Sequence, residues 1–71
     1  MDAVDTAIRN AYEAIARLYR VSADTVVRRD DLRDQLLSMV RPACAWADDD
    51  ILRRLINLRR KSLLPRLRDL N

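Results

Sequence analysis

The sequence predicts an all-α domain, a small bundle of three to four helices, and three observations support this prediction. Apolar residues recur every three or four positions in three separate stretches of the chain. Each stretch begins with aspartates, which are favoured near the positive end of a helix dipole. The 71 residues include 49% apolar and 35% charged types, which is typical of one folded domain rather than of a disordered segment. We therefore treat residues 1–71 as a single helical domain.

The first helix is predicted over residues 3–20. Charged residues such as Asp5, Arg9 and Arg17 fall on one side of a helical wheel, and the apolar residues fall on the other. We expect the apolar side to be buried; it consists of Val4, Ile8, Ala11, Tyr12, Ile15, Leu18 and Tyr19.

The segment that follows is predicted to break the helix. Ser22 or Asp24 can cap a new helical turn. Residues 25–27 are all β-branched and form the least helix-prone triplet of the chain. Three interpretations therefore stay open for them: a short strand, an extended connector, or the first turn of the next helix.

The second main helix is predicted over residues 30–41, and Pro42 ends it, because the residue before a proline is pushed out of helical geometry. Its core face consists of Leu32, Leu36, Met39 and Val40. Leu37 falls outside this face and is expected to meet another element or a partner.

The connector over residues 41–47 contains mostly small residues and one large one, Trp46. We expect Trp46 to fill the core between the helices. Cys44 follows a proline among alanines, so a buried and unreactive thiol is expected there.

The third main helix is predicted over residues 48–61. Its first turn holds Asp48, Asp49 and Asp50, which are expected to satisfy unpaired backbone amides and to complement the helix dipole. Adjacent helical residues point about 100° apart, so the three carboxylates are not expected to converge on a metal ion. The predicted buried face consists of Ile51, Leu52, Leu55, Ile56 and Leu58.

Two features near the end of the chain allow more than one interpretation. Arg59 lies within the apolar face of the third helix, so it must extend to solvent, pair with an acid, or lie beyond the core. Residues 63–70 continue the helical spacing of leucines past Ser62, but Pro65 interrupts it. A short terminal helix or an extended tail is expected there.

Several function classes lack the residues that they need. The chain has no glycine for a phosphate-binding loop and no histidine for an ordinary zinc site or a catalytic pair. We therefore expect no enzyme activity, no cofactor, no metal and no small-molecule substrate. The single cysteine and the lack of an apolar stretch near 18 residues predict a cytoplasmic protein that is not associated with a membrane.

Positive charge is concentrated in the second half of the chain. The net charge of +3 arises from −1 over residues 1–40 and +4 over residues 41–71. Residues 51–68 contain seven cations and no acid. Within this stretch one side of the third helix carries four cations and one amide, followed by two more cations. These residues are Arg53, Arg54, Asn57, Arg60 and Lys61, then Arg66 and Arg68.

Like charges spaced four residues apart repel each other, and an anionic partner would turn that repulsion into attraction. The face therefore predicts binding to DNA or another polyanion by a small regulatory or accessory protein. A solvated face without a partner is the simpler alternative. A third interpretation is a protein-interaction module that docks a helical or acidic partner, or a second copy of the chain, through Leu37, Leu67 and Leu70.

Two stretches resemble helix-turn-helix families of DNA-binding proteins. Residues 15–26, IARLYRVSADTV, are similar to the motif of bacterial regulators, with Arg20 at the usual glycine position. However, the apolar stripe that runs from Val4 to Tyr19 leaves no room for a preceding helix, so we set this alignment aside.

The broader resemblance is to winged-helix domains. It covers most of the chain: a helix, a β-branched segment, two helices, and then residues 63–66, LLPR. Residues 51–64, ILRRLINLRRKSLL, resemble that family's third helix where it leads into a leucine-rich strand. Ser62 stands where that family usually has glycine, and the connector over residues 41–47 is longer than the family's tight turn. The resemblance implies that the third helix enters the major groove of DNA. The residues implied as contacts are Arg53, Arg54, Asn57, Arg60 and Lys61.

Overall fold

The computed structural model describes residues 2–64, and this part of the chain is an all-α bundle without strands. It contains four α-helices and one short 3₁₀ helix. In chain order they are α1 (Ala3–Tyr19), α2 (Ala23–Arg28), α3 (Asp30–Val40), the 3₁₀ helix (Arg41–Ala43) and α4 (Asp48–Arg60). Helices α3 and α4 each pack against both α1 and α2. Every helix of residues 2–64 is too short or too polar to cross a lipid bilayer.

Helix α1 begins and ends close to its predicted limits. The side chain of Asp2 caps its start by accepting a hydrogen bond from the Asp5 N–H at 2.8 Å. At the other end Arg20 adopts the left-handed conformation, with φ 54 and ψ 57, and its N–H donates to the carbonyl oxygen of Ala16. The expected burial of Leu18 and Tyr19 is wrong, because their side chains are 72% and 41% exposed. Both lie in the last turn of α1.

The β-branched residues 25–27 belong to a separate six-residue helix, α2, and not to a strand, an extended connector or the first turn of α3. The Ser22 side chain caps this helix by accepting a hydrogen bond from the Thr25 N–H at 3.3 Å. Val26 is fully buried. Tertiary packing of Val26 together with the cap therefore overrides the weak helical propensity of the triplet.

The buried face of α3 is rotated from the predicted one. Leu32, Leu36 and Val40 are buried as expected, but Met39 is 46% exposed and Leu37 is only 3% exposed. The reason is that α3 packs against two helices, α1 and α2, so its buried face widens toward Leu37. Leu37 is thus a core residue, and it cannot serve as a docking residue for a partner.

The prediction that Trp46 fills the core is wrong, because its side chain is 44% exposed. The inward residue of the connector is Cys44, which is buried and unpaired as expected, and its Sγ accepts a hydrogen bond from the Trp46 N–H at 3.4 Å. Smaller aliphatic residues from four helices already fill the centre. The fully buried large ones are Ile8, Val26, Leu32, Leu36, Val40, Ile51, Leu55 and Leu58.

The three aspartates at the start of α4 lie in its first turn, but they do not cap it through side-chain hydrogen bonds. The residue at the capping position is Ala47, and Asp48 instead pairs with Arg41 at 2.7 Å. Of the predicted buried face, Ile51, Leu55 and Leu58 are fully buried. Leu52 and Ile56 are only partly buried against the core.

The predicted terminal element, residues 63–70, falls largely outside the described residues. Leu63 and Leu64 are described and are not helical. Leu63 is 45% exposed, whereas Leu64 packs on the core.

The left-handed conformation of Arg20 predicts a measurable backbone cost. Arg20→Gly is expected to be more stable than Arg20→Ala by about 1 kcal/mol, because only glycine adopts this conformation without a steric penalty. Both variants remove the same arginine side chain, so the difference between their urea-unfolding free energies isolates the backbone effect. Equal free energies would contradict the assigned conformation.

Candidate nucleic-acid interface

The outward face of α4 carries a strip of polar and cationic residues. The buried residues Ile51, Leu55 and Leu58 hold α4 against α1 and α2, and the opposite side of the helix therefore faces solvent. We call the cations and the amide of this side the basic strip; they are Arg53, Asn57 and Arg60 of α4, and Lys61 directly after it. The exposed acids Asp49 and Asp50 lie in the first turn of the same helix. Arg53, Arg60 and Lys61 are exposed, and Asn57 is half-buried.

The predicted cation Arg54 does not belong to this strip. Its Nε and Nη2 atoms donate to Oδ1 and Oδ2 of Asp5 on α1, and both distances are 2.6 Å. The Asp5 side chain is only 7% exposed and that of Arg54 is 30% exposed. The expectation that Arg54 faces water as an unpaired cation is therefore wrong, as is the placement of Asp5 on the solvent side of α1. The reason is that both residues lie at the edge where α1 meets α4.

The Asp5–Arg54 pair remains ionised. Hydrogen bonds from Arg54 lower the pKa of Asp5 and outweigh the opposing effect of burial. The same hydrogen bonds raise the pKa of Arg54. The positive charge of Arg54 is therefore cancelled by a neighbouring negative charge, and Arg54 adds little to the attraction of a distant anion.

The unexplained Arg59 pairs with an acid, which was one of the three expected outcomes. Its Nη2 lies 3.2 Å from Oδ2 of Asp24 on α2. Arg59 and Arg54 thus lie on the two edges of α4, and each is paired with an aspartate of the adjacent helix.

Tyr12 of α1 lies close to the pair formed by Arg59 and Asp24. Burial raises the pKa of Tyr12.

Trp46 and α4 together form an open surface groove. The groove has a volume of about 360 Å³ and is lined by Trp46, Asp50, Arg53, Arg54 and Asn57. The sequence did not predict that Trp46 lines a surface groove, because a lone tryptophan among small residues is typical of a core position. Its spacing did contain a signal, since Trp46, Asp50, Arg53 and Asn57 follow the three-to-four-residue repeat of one helix face.

A second depression separates α2 from α4. It has a volume of about 310 Å³ and is lined by Asp24, Val27, Arg28 and Ile56. Arg28 is exposed and lines this depression together with the carboxylate of Asp24. Sequence patterns gave no reason to associate Arg28 with α4, because the fold alone places it across this depression from Ile56.

The remaining predicted site residues have no described structure. Arg66 and Arg68 fall within residues 65–71, outside the part of the chain that the structure describes. Residues 2–64 also contain no group of three or more cysteine and acidic side chains placed to hold a metal ion.

The Asp5–Arg54 pair leads to a stability prediction. Asp5→Asn is expected to lower the free energy of unfolding by about 1 to 3 kcal/mol at neutral pH, because it weakens charge-assisted hydrogen bonds to a buried carboxylate. The folded-state pKa of Asp5 is below its usual 3.8, so this contribution is present above pH 3.8 and is lost as the pH falls through the folded-state value. The difference between wild type and variant, measured by urea unfolding across this pH range, should therefore shrink in acid.

The control for this variant is Asp34→Asn, which removes an exposed carboxylate of α3 that acts on Arg41 only through its charge, without a direct ion pair. It is expected to change stability little at any pH. Equal effects of the two substitutions at neutral pH would contradict the importance of the pair.

No protein-family model, no curated protein and no solved structure matches this chain.

Proposed function

We propose that this protein binds nucleic acid, specifically double-stranded DNA, through the basic strip of α4, as a small regulator or accessory protein. The proposal rests on which cations of residues 2–64 form ion pairs with carboxylates of the same chain and which do not. At least six arginines of residues 2–64 have a carboxylate of the same chain within 3.2 Å. They are Arg17, Arg29, Arg33, Arg41, Arg54 and Arg59.

The cations without an acid partner in the same part of the chain are not spread evenly. Three of them are exposed on α4 or directly after it: Arg53, Arg60 and Lys61. Lys61 forms no ion pair within residues 2–64, although its charge contributes to lowering the pKa of Asp5. The chain's own acids could have neutralised them, as they neutralise Arg54 and Arg59 on the edges of the same helix. Their repulsion is relieved when an anion binds, which supports a polyanionic partner rather than a solvated face without function.

DNA is the polyanion that this geometry fits best. A single α-helix can enter the major groove, where cations contact phosphates while arginine and asparagine reach base edges. Helix α4 has 13 residues, its outward side is exposed to solvent, and Asn57 lies between the cations of that side. Arg28 on α2 is placed to add a further phosphate contact beside α4.

The resemblance to winged-helix domains adds support. In the order of the main helices α4 would correspond to that family's third helix, and Ser62 has a φ of 58 where the resemblance aligns a glycine. The β-branched segment between the first two main helices, however, is the helix α2. The proposal also places the protein in the cytoplasm, where a lone reduced thiol such as Cys44 is ordinary.

A protein-interaction module is the second candidate, and the exposure of large apolar side chains favours it. Leu18 is 72% exposed, and Met39 and Leu63 are each nearly half exposed. The proposed docking residue Leu37 is buried. The other two, Leu67 and Leu70, fall outside the described residues. A dimer seen by light scattering, together with absence of DNA binding at low salt, would favour this candidate.

The test of DNA binding is a salt titration of two matched variants. Arg53→Ala/Arg60→Ala is expected to weaken binding to random duplex DNA by at least tenfold at low salt. The slope of log affinity against log salt is expected to be about −3.6 for the wild type, because the three strip cations and Arg28 neutralise phosphates, and to be reduced in size by about 2 in the variant.

Arg17→Ala/Arg33→Ala removes the same two charges from arginines that already have acid partners. It is expected to leave affinity and slope nearly unchanged. Equal losses in the two double variants would mean that only net charge matters, and a slope near zero in the wild type would refute DNA binding.

A further inference from the structure

The groove beside Trp46 has a chemistry different from that of the basic strip. The strip attracts phosphate, but the groove also includes the carboxylate of Asp50 and the neutralised guanidinium of Arg54. Its volume of about 360 Å³ lies at the lower end of the range of small-ligand sites, which begins near 300 Å³. A small, flat and largely uncharged group fits it better than a second phosphate does.

Trp46 provides a flat apolar wall for such a group. It is the only tryptophan of the chain, and almost half of its side chain is exposed although the core beside it is made of smaller residues. Its backbone is held in place by the hydrogen bond from its N–H to Sγ of the buried Cys44. An exposed indole on an anchored backbone is a suitable surface for stacking.

The polar residues of the groove match the edge of a nucleobase. The carboxylate of Asp50 accepts hydrogen bonds, and the amide of Asn57 both donates and accepts them. The Nη1 atom of Arg54 takes no part in the two hydrogen bonds to Asp5, and those bonds fix the orientation of the guanidinium. Arg53 belongs to both the groove and the basic strip. It could therefore bind the phosphate of the nucleotide whose base lies in the groove.

We propose that this groove takes one unpaired nucleobase, stacked on Trp46, and that the protein therefore prefers DNA with unpaired bases next to a duplex. The inference rests on the proposed function. In an intact duplex both faces of each internal base are covered by neighbouring bases, so a tryptophan can stack only on a base that has left the helix or lacks a partner. The basic strip holds the adjacent duplex backbone.

Three DNA probes with the same ends test this preference. The first is an intact short duplex, the second is the same duplex with a gap that leaves three thymidines unpaired, and the third replaces those thymidines with abasic residues. Fluorescence of Trp46 reports stacking directly because no other tryptophan contributes. The gapped duplex is expected to quench this emission and to bind about tenfold more tightly than the intact and abasic duplexes, as stacking of one base predicts.

Two variants separate stacking from charge. Trp46→Ala is expected to remove the preference for the gapped duplex while leaving affinity for the intact duplex, the salt slope and the fold unchanged. Trp46→Phe, read out by affinity alone, is expected to retain part of the preference because a phenyl ring also stacks.

The outcomes distinguish this inference from the proposed function. Equal affinity for the gapped, abasic and intact duplexes would refute the nucleobase site and leave DNA binding standing. Failure to bind any of the three probes at low salt would refute both. Equal quenching by heparin or polyglutamate would show that the groove responds to negative charge or to an acidic chain, and it would likewise overturn the nucleobase site.

Discussion

The bidentate pair between Asp5 and Arg54 constrains the rotation of α4 about its own axis, and the candidate site depends on that rotation. It joins residues 49 positions apart in sequence, at the beginning of α1 and the middle of α4. A carboxylate that is only 7% exposed has lost most of its contact with water, so it is tolerated only with a well-aligned cationic partner. A rotation or shift of α4 would separate the two groups, and the pair therefore restricts which residues of α4 face outward.

The other edge of α4 is fixed in the same manner. Arg59 pairs with Asp24 of α2, at 3.2 Å and with both side chains about half exposed, so solvent weakens this contact relative to the buried pair. The two edge contacts and the buried row of Ile51, Leu55 and Leu58 hold three sides of the helix. Only the fourth side of α4 faces solvent, and this side carries the basic strip. The electrostatic surface is thus a consequence of where the neighbouring helices place their acids.

The sequence was sufficient to predict the helices but not the neighbours of each helix. Apolar spacing located α1, α3 and α4 to within one or two residues, because burial of one face determines that spacing. A helical wheel gives the direction of Arg54 relative to its own helix, whereas its pairing depends on an acid that another helix supplies. The same limit explains Leu37, which becomes buried because α3 contacts two helices rather than one.

Trp46 and the β-branched residues 25–27 illustrate a different limit. Residue type alone suggested a core position for Trp46, but the volume of the centre was already filled by aliphatic side chains from every helix. Residues 25–27 have weak helical propensity, yet the Ser22 cap and the burial of Val26 are enough to make them helical. In both cases the outcome depends on packing and burial across the whole core. A local sequence pattern does not contain that information.

The two halves of α4 differ in charge, and this difference bears on what can bind there. Acids occupy its first turn, from Asp48 to Asp50, and the unpaired cations Arg60 and Lys61 lie at its end. A uniform polyanion would be attracted to the end and repelled at the start. The start is also where Trp46 presents a flat surface beside Asp50 and Asn57. A ligand that combines phosphate with neutral planar rings can contact both halves, whereas one that offers negative charge alone can use only the second, and nucleic acid is the common biological polymer that combines the two.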